Sequence, residues 1–128
     1  VATIGDNHDA APWHVGIKDP DGSGSLCTVQ LSNAAIATSG NYARVVDYQR
    51  KRYGHLLNPK TGWPVEGPSS VSVLDSHCLT AGVVATVACL HSEESAATWL
   101  EHAALPWLMV SSSGDRSGPI AHQMAAPT

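Results

Sequence analysis

The chain has 128 residues, of which 43% are hydrophobic and only 14% are charged. This composition excludes a disordered segment and supports one buried core, so we predict a single globular domain over residues 1–128. The 7 Lys and Arg against 11 Asp and Glu give a formal charge of −4. That balance argues against a nucleic-acid partner, and we expect the cations at 50–52 to lie on a solvated turn.

The sequence contains no pattern typical of a membrane-spanning helix, a signal peptide or a disulfide framework. No run approaches the roughly 20 apolar residues of a membrane-spanning helix, and no signal-peptide pattern is found, so we expect a soluble chain. The three cysteines, Cys27, Cys78 and Cys89, form no C-x-x-C pair. Neither a disulfide framework nor a zinc knuckle is therefore predicted, and at most one disulfide could form.

The first part of the chain indicates antiparallel β structure. Apolar and β-branched residues alternate with polar ones, and clusters of Gly, Pro, Asn and Asp separate the runs. A run at the very first residue is typical of a segment that continues a longer fold. Two strands fit between residues 41 and 62, and further strands are predicted at 1–4, 13–17, 26–31, 34–38 and 70–74.

The second part of the chain changes to helical periodicity. From Leu79 to Leu90 apolar residues recur at helical spacing, which predicts a mostly buried helix capped by Ser76 or Thr80. Ser92 followed by two glutamates predicts a second helix that Pro106 ends.

The last segments complete the predicted fold. Residues 107–110 are expected to form a strand, 111–118 a turn and 120–124 a weak final strand. The fold class is therefore α+β, with an antiparallel sheet and one helical layer.

The sequence contains neither the ligand spacing of a metal site nor the nucleophile motif of a serine hydrolase. The 7 histidines match no ligand spacing, so we assign none of them to a metal. The serines occur in no G-x-S-x-G turn, and a hydrolase of that type has no support.

Two segments can carry chemistry. Residues 37–42 read ATSGNY, where hydroxyls and a glycine at a strand end could approach an anionic or aromatic ligand closely. Residues 53–62 read YGHLLNPKTG, where a histidine precedes a rigid turn. Taken singly, each is more typical of ordinary structure, and their order and separation are the informative feature.

Three segments, taken in order, resemble the ApbE family along most of the chain. They are PWHVGIKDP at 12–20, ATSG at 37–40 followed by Tyr42 and Arg44, and HLLNPKTGWP at 55–64. That family carries P-W-x-V-G-I-x-x-P, A-T-S-G and H-I-[IL]-[DN]-P-x-T-G motifs in the same order. Residues 4–6 (IGD) are similar to its G-G-[DE] turn. The resemblance implies the carboxy-terminal half of an ApbE domain, with a T-fold-like architecture.

The resemblance also implies an activity. It is the magnesium-dependent transfer of FMN from FAD to a threonine of an acceptor flavoprotein, with release of AMP. His55 would be the catalytic histidine, and Leu56 and Leu57 would pack on the flavin. The nearby wall of the FAD site would be formed by Thr38, Ser39 and Gly40.

Two departures from the family pattern bear on that activity. The family's A-D-[AG]-x-[AS]-T segment reads AGVVAT at 81–86, so Gly82 replaces an aspartate and Thr86 is left as the metal ligand. One hydroxyl is a poor ligand set for Mg²⁺. The family's amino-terminal half, with much of the FAD site, has no counterpart before Val1.

Alternatives therefore stay open. The other half could be a separate partner chain, or the chain could be a truncated product, and we expect an exposed apolar seam where the other half would dock. A catalytically inactive flavin-binding or protein-interaction module, or a structural domain without a ligand, would also fit these residues. The family resemblance implies a periplasmic or membrane-anchored lipoprotein.

Overall fold

The structure is a computed structural model that describes residues 1–124. The elements occur in the order β1 (Trp13–Lys18), β2 (Ser25–Leu31), β3 (Ala35–Gly40), β4 (Val45–Tyr48), β5 (Lys51–Gly54), β6 (Ser70–Asp75), α1 (Cys78–Cys89), α2 (Glu93–Ala103), β7 (Trp107–Val110), β8 (Arg116–Ser117) and α3 (Pro119–Met124).

The strands form three antiparallel sheets. The largest has the order β3-β6-β7-β8, while β1 pairs with β2 and β4 pairs with β5 in two hairpins. This arrangement confirms the predicted α+β class with antiparallel strands. The strand predicted at residues 1–4 is wrong, because only an isolated bridge joins Ala2 to Ala35.

The four-stranded sheet is covered on both faces. Val71, Val73, Trp107 and Met109 pack in one core cluster with residues of α1 and α2. Leu108 and its neighbours on the other face pack in a second cluster with the β1-β2 hairpin and α3. Successive side chains of a strand point to opposite faces of the sheet. Since both faces are covered here, β7 is apolar and buried at every position.

Helix α1 lies on the sheet through its small residues, and here the predicted buried face is wrong. Leu79 is 80% exposed and Val83 is 52% exposed. Alanines and a cysteine are buried instead, since short side chains let the helix axis approach the strands closely. The buried residues of α1 are Ala81, Val84, Ala85, Ala88 and Cys89.

The helix ends differ in how well they were predicted. Ser92 caps α2 by accepting a hydrogen bond from the Ser95 N–H, as expected. Neither Ser76 nor Thr80 caps α1, whose N-cap is His77 without a side-chain bond. Among residues 1–124, no helix is long and apolar enough to cross a membrane.

Two further predictions near the end of the chain are wrong, one of them only in part. The predicted strand at 120–124 is helix α3, because Pro119 has the fixed backbone angle that favours the first helical position. Part of the predicted turn at 111–118 pairs with β7 as β8. The cations at 50–52 are exposed, as expected, although Lys51 and Arg52 begin β5 and form ion pairs with Glu66 and Asp47.

We expect Gly118→Ala to destabilise the chain by about 3 kcal/mol. Gly118 has φ +106°, and a Cβ at this position would overlap the ring and carbonyl of Trp107. The matched control is Gly24→Ala, where a Cβ would meet no atom within 4 Å, and its effect should stay within about 0.5 kcal/mol. Urea unfolding followed by tryptophan fluorescence measures both. Equal midpoints for the two variants would contradict the packing of Gly118 on Trp107.

We expect the stability of the chain to fall above pH 9 through Cys89. Burial raises the pKa of this thiol from 9.0 to about 12. Above pH 9 the unfolded thiol ionises while the folded one keeps its proton. The contribution is thus complete below pH 9 and is lost towards pH 12, by at most about 1.4 kcal/mol per pH unit.

The test compares the chain with Cys89→Ala by urea unfolding between pH 7 and pH 10.5. The cavity left by the substitution lowers stability equally at every pH, whereas the alkaline decline should be steeper for the unsubstituted chain. Parallel pH profiles would contradict the role of Cys89.

Candidate functional site

The end of β3 is tied to two neighbouring elements by hydroxyl contacts. Ser39 Oγ lies 2.7 Å from Thr86 Oγ1 on α1. Thr38 Oγ1, on the opposite face of the strand, lies 2.7 Å from Ser72 Oγ on β6. Two of the predicted wall residues are therefore held in place by hydrogen bonds before any ligand is considered.

Gly40 allows neighbouring groups to approach the backbone closely at the end of β3. A Cβ here would lie 2.5 Å from the Ser69 carbonyl oxygen and 2.9 Å from the Tyr42 ring. The next residue, Asn41, donates its backbone N–H to the same carbonyl at 3.0 Å. A larger residue than glycine does not fit between these groups, so the ATSG turn depends on close backbone approach.

The segment that carries His55 is closed by its own turn. The Val65 N–H donates to the Leu56 carbonyl at 3.0 Å, and the Asn58 N–H donates to the Trp63 carbonyl at 2.8 Å. Leu56 also packs against the core cluster beneath α1. These contacts fix the position of the histidine beside the end of β3, as the predicted rigid turn requires.

A cavity of about 280 Å³ lies where these segments meet. It brings together six of the seven predicted site residues, which come from β3, from the turn after β5 and from α1. Leu57 is the exception, since it is 53% exposed and lies outside the lining. The lining residues are Thr38, Ser39, Gly40, Tyr42, Ala43, Arg44, His55, Leu56 and Thr86.

Arg44 adds a permanent cation to this lining. The sequence pattern includes Arg44 in the motif but gives it no role in the site, although a basic residue soon after a glycine turn is a signal for an anion ligand. Together with the imidazole of His55, Arg44 offers donors to a phosphate or to a polar ring edge. The hydroxyls of Thr38 and Ser39 are already paired with those of Ser72 and Thr86.

The size of the cavity limits what it can hold. Pockets that bury a drug-sized ligand measure roughly 300 to 1,000 Å³. At about 280 Å³ this cavity accommodates a part of a dinucleotide, such as one ring system or one phosphate, and not the whole molecule.

The residues present do not form a magnesium site. Thr86 supplies one hydroxyl, which is already engaged by Ser39. Among residues 1–121, whose side chains the structure describes, no group of three or more His, Cys, Asp and Glu side chains could hold a metal. Because Mg²⁺ favours carboxylate oxygens, the lone Thr86 does not fit the cation.

The position of Gly82 has room for a side chain. Gly82 and Thr86 are four residues apart on α1 and therefore lie on one face of the helix. A Cβ at Gly82 would meet only the Cβ of Ala37, at an ordinary contact distance of 3.8 Å. The backbone thus accommodates an aspartate at this position. Packing around the helix does not explain why the chain has glycine there.

Comparison with protein families places these features in a known group. The model of the ApbE family matches residues 1–109. The FAD:protein FMN transferase of Rhodobacter capsulatus is 39% identical over 95 residues, which are 73% of this chain and 18% of the relative. The FAD:protein FMN transferase of Vibrio cholerae is 34% identical over 112 residues, which are 85% of this chain and 34% of the relative.

Solved structures agree with the sequence match. The ApbE protein of Thermotoga maritima superposes with a TM-score of 0.82 at 26% identity, over 97% of this chain and 41% of that one. The flavin transferase ApbE of Vibrio cholerae gives a TM-score of 0.73 at 31% identity, over 94% of this chain and 40% of that one. The chain therefore spans well under half the length of these proteins, and it matches their carboxy-terminal part.

We expect Ser39 and Thr86 to be energetically coupled. In a double-mutant cycle of Ser39→Ala and Thr86→Val, each single change should cost about 1 kcal/mol, with a coupling energy of about 0.5 to 1.5 kcal/mol. The matched control pairs Ser39→Ala with Thr98→Val, whose hydroxyl bonds to Glu94 on the exposed side of α2. That pair should be additive, and additivity of the first pair as well would exclude the hydroxyl contact.

Proposed function

Because the chain belongs to the ApbE family of flavin transferases, we propose that it supplies the carboxy-terminal part of an FAD:protein FMN transferase site. One observation carries this proposal. The ATSG strand end, the His55 turn and Thr86, which are distant in sequence, line one cavity. Convergence of all three motifs supports a binding role more strongly than any of them alone.

The proposed reaction is a phosphoryl transfer from FAD to a threonine of an acceptor flavoprotein. The threonine oxygen attacks the phosphorus of the FMN half and forms a new P–O bond. The P–O bond to the AMP half breaks, and AMP leaves with the electron pair. His55 accepts the hydroxyl proton, because an imidazole is a suitable base near neutral pH.

The other lining residues would position the flavin half of FAD. The hydroxyls of Thr38 and Ser39 and the backbone at Gly40 form one wall, and Leu56 contributes the apolar contact. A ligand reaches Leu57 only by extending beyond the cavity. A rigid wall of this kind lowers the barrier by holding the reacting atoms in line.

The complete site requires more protein than this chain contains. The cavity has room for only a part of FAD, and the chain spans 34% of the Vibrio cholerae relative. We propose that an amino-terminal part, in the same protein or in a separate chain, completes the FAD pocket. The periplasmic or membrane-anchored location is proposed on the family resemblance alone.

Gly82 favours a second candidate function. Magnesium would neutralise the pyrophosphate in the proposed reaction, but the lining of the cavity offers the cation hydroxyl groups and no carboxylate. A chain with this substitution fits a flavin-binding or protein-interaction module that has lost catalysis. The two functions share the cavity and differ in their response to magnesium.

Titration of FAD into the chain, with and without Mg²⁺, tests the proposal. We expect saturable binding, seen as a change in flavin fluorescence and a rise in melting temperature, with little effect of Mg²⁺. Gly82→Asp should make Mg²⁺ tighten FAD binding by about tenfold or more, because a carboxylate then stands one turn before Thr86. Gly82→Ala is the matched control, since it adds the Cβ and stiffens the helix without a metal ligand.

The outcomes separate the candidates. Absence of saturable FAD binding in all three proteins would contradict a flavin site in this chain. Binding that responds to Mg²⁺ in the Gly82→Asp protein, together with AMP release by the full-length transferase carrying aspartate at this position, supports the transferase. Binding without AMP release supports the inactive module.

A further inference from the structure

The positive charges of the chain are concentrated in one stretch, residues 41–65, which we call the basic segment. It runs from the end of β3 to the close of the His55 turn and contains 5 of the 7 Lys and Arg but one of the 11 Asp and Glu, a formal charge of +4. The other residues carry 2 cations and 10 acids, a formal charge of −8. Such an asymmetry within one domain indicates a surface that attracts an acidic partner. The cations of the basic segment are Arg44, Arg50, Lys51, Arg52 and Lys60.

The β4-β5 hairpin forms the middle of the basic segment and belongs to neither core cluster. Its two strands pair only with each other among the described strands. Val46 is 67% exposed and Tyr48 is 62% exposed. Their cross-strand partners, Tyr53 and Lys51, lie beside them on the same face. The hairpin therefore presents a face that is both apolar and basic.

The tip of the hairpin holds an arginine in a backbone conformation that favours glycine. Gln49 and Arg50 form the two-residue loop with φ of 49° and 64°, in the left-handed region. Within the described part of the chain, Arg50 forms no ion pair. The side chain thus adds strain and no contact to the fold, which points to a contact outside it.

A groove of about 230 Å³ connects this hairpin with the turn that follows His55. One wall is residues 51–54 of β5, and the other is residues 63–66, where Trp63 is 69% exposed. The Lys51 ammonium lies 2.7 Å from a Glu66 carboxylate oxygen, and the two side chains are 57% and 82% exposed. Since an exposed ion pair contributes little, an incoming carboxylate can replace Glu66 at Lys51.

We propose that the basic segment is the docking surface for the acceptor flavoprotein, whose acidic side chains lie close in sequence to the threonine that receives FMN. The proposal rests on the proposed function, in which His55 accepts the proton of that threonine. β5 leads directly into His55, and four extended residues span about 13 Å. An acidic side chain about four positions from the threonine therefore reaches Lys51 while the threonine lies at His55.

The phosphates of FAD are a second candidate for these charges. Arg44 lines the 280 Å³ cavity and is placed to meet them, whereas Arg50 and Lys60 lie outside that lining. A phosphate gains nothing from the exposed side chains of Val46 and Tyr48. A polypeptide gains from both, because aromatic and apolar groups beside cations are typical of protein interfaces. The hairpin therefore suits an acidic polypeptide better than a nucleotide.

The test titrates the chain with the peptide Ser-Asp-Glu-Ser-Gly-Thr-Gly-Ser and follows backbone amide shifts by NMR. We expect saturable shifts in residues 44–54 and at Trp63. The matched peptide with Asn and Gln in place of Asp and Glu should bind about tenfold more weakly, because two exposed charge pairs are lost. Added salt should weaken the acidic peptide and leave the neutral one unchanged.

Three variants separate docking from a merely structural role. Arg50→Gly should raise the melting temperature, because glycine suits the left-handed φ, and yet weaken the acidic peptide about threefold. Glu66→Gln should tighten the same peptide, because Lys51 loses its competing carboxylate. Arg116→Gln is the control, since it removes one cation from β8, outside the basic segment, and should leave peptide affinity unchanged. FAD affinity should be equal in all three variants.

Several results would overturn the proposal. These are equal affinity for the two peptides, the absence of saturable shifts, and equal effects of Arg50→Gly and Arg116→Gln. A loss of FAD affinity in Arg50→Gly would assign the cations to FAD. Arg50-dependent binding to phosphatidylglycerol vesicles, without peptide binding, would assign the surface to a membrane. Peptide binding by a chain that does not bind FAD would instead contradict the flavin site, so the two failures are distinguishable.

Discussion

The close contact of α1 with β3 and β6 is the constraint on which the rest of the molecule depends. It is made by alanines and a cysteine that are almost without exposed surface. Because those side chains are short, the helix lies near enough for Thr86 to reach Ser39 at 2.7 Å. A larger residue at Ala81 or Ala85 would move the helix outward and separate the two hydroxyls. The cavity is thus a consequence of core packing.

The same packing explains where sequence reasoning succeeded and failed. The strands of the β1-β2 hairpin were predictable because alternation reports directly which face is buried, whereas β6 and β7 were predictable as short apolar runs. The helix at 78–89 was predictable in extent, but the large apolar residues Leu79 and Val83 suggested a buried face that is in fact exposed. A periodicity argument assigns the buried face from the large apolar residues and gives little weight to alanine. A close contact between a helix and a sheet instead buries the small side chains.

The candidate site was likewise predictable from the sequence only in part. The three motifs were found from sequence, and the structure places Thr38, Ser39, Gly40, His55, Leu56 and Thr86 around one cavity. Their chemical roles stay predictions. Arg44 carried a usable signal as a basic residue soon after a glycine turn, but the exclusion of Leu57 was not predictable, because the path of the chain between the ATSG turn and the His55 turn depends on the β4-β5 hairpin. Short-range patterns do not report such long-range geometry.

The distance in sequence between Ser39 and Thr86 bears on the order of folding. The β1-β2 and β4-β5 hairpins join neighbouring segments and close small loops, while the hydroxyl pair joins residues 47 positions apart. Contacts of that separation carry a larger entropic cost and form late in folding. A partly folded chain therefore contains its hairpins but lacks the cavity, and ligand binding becomes a property of molecules that have completed the fold.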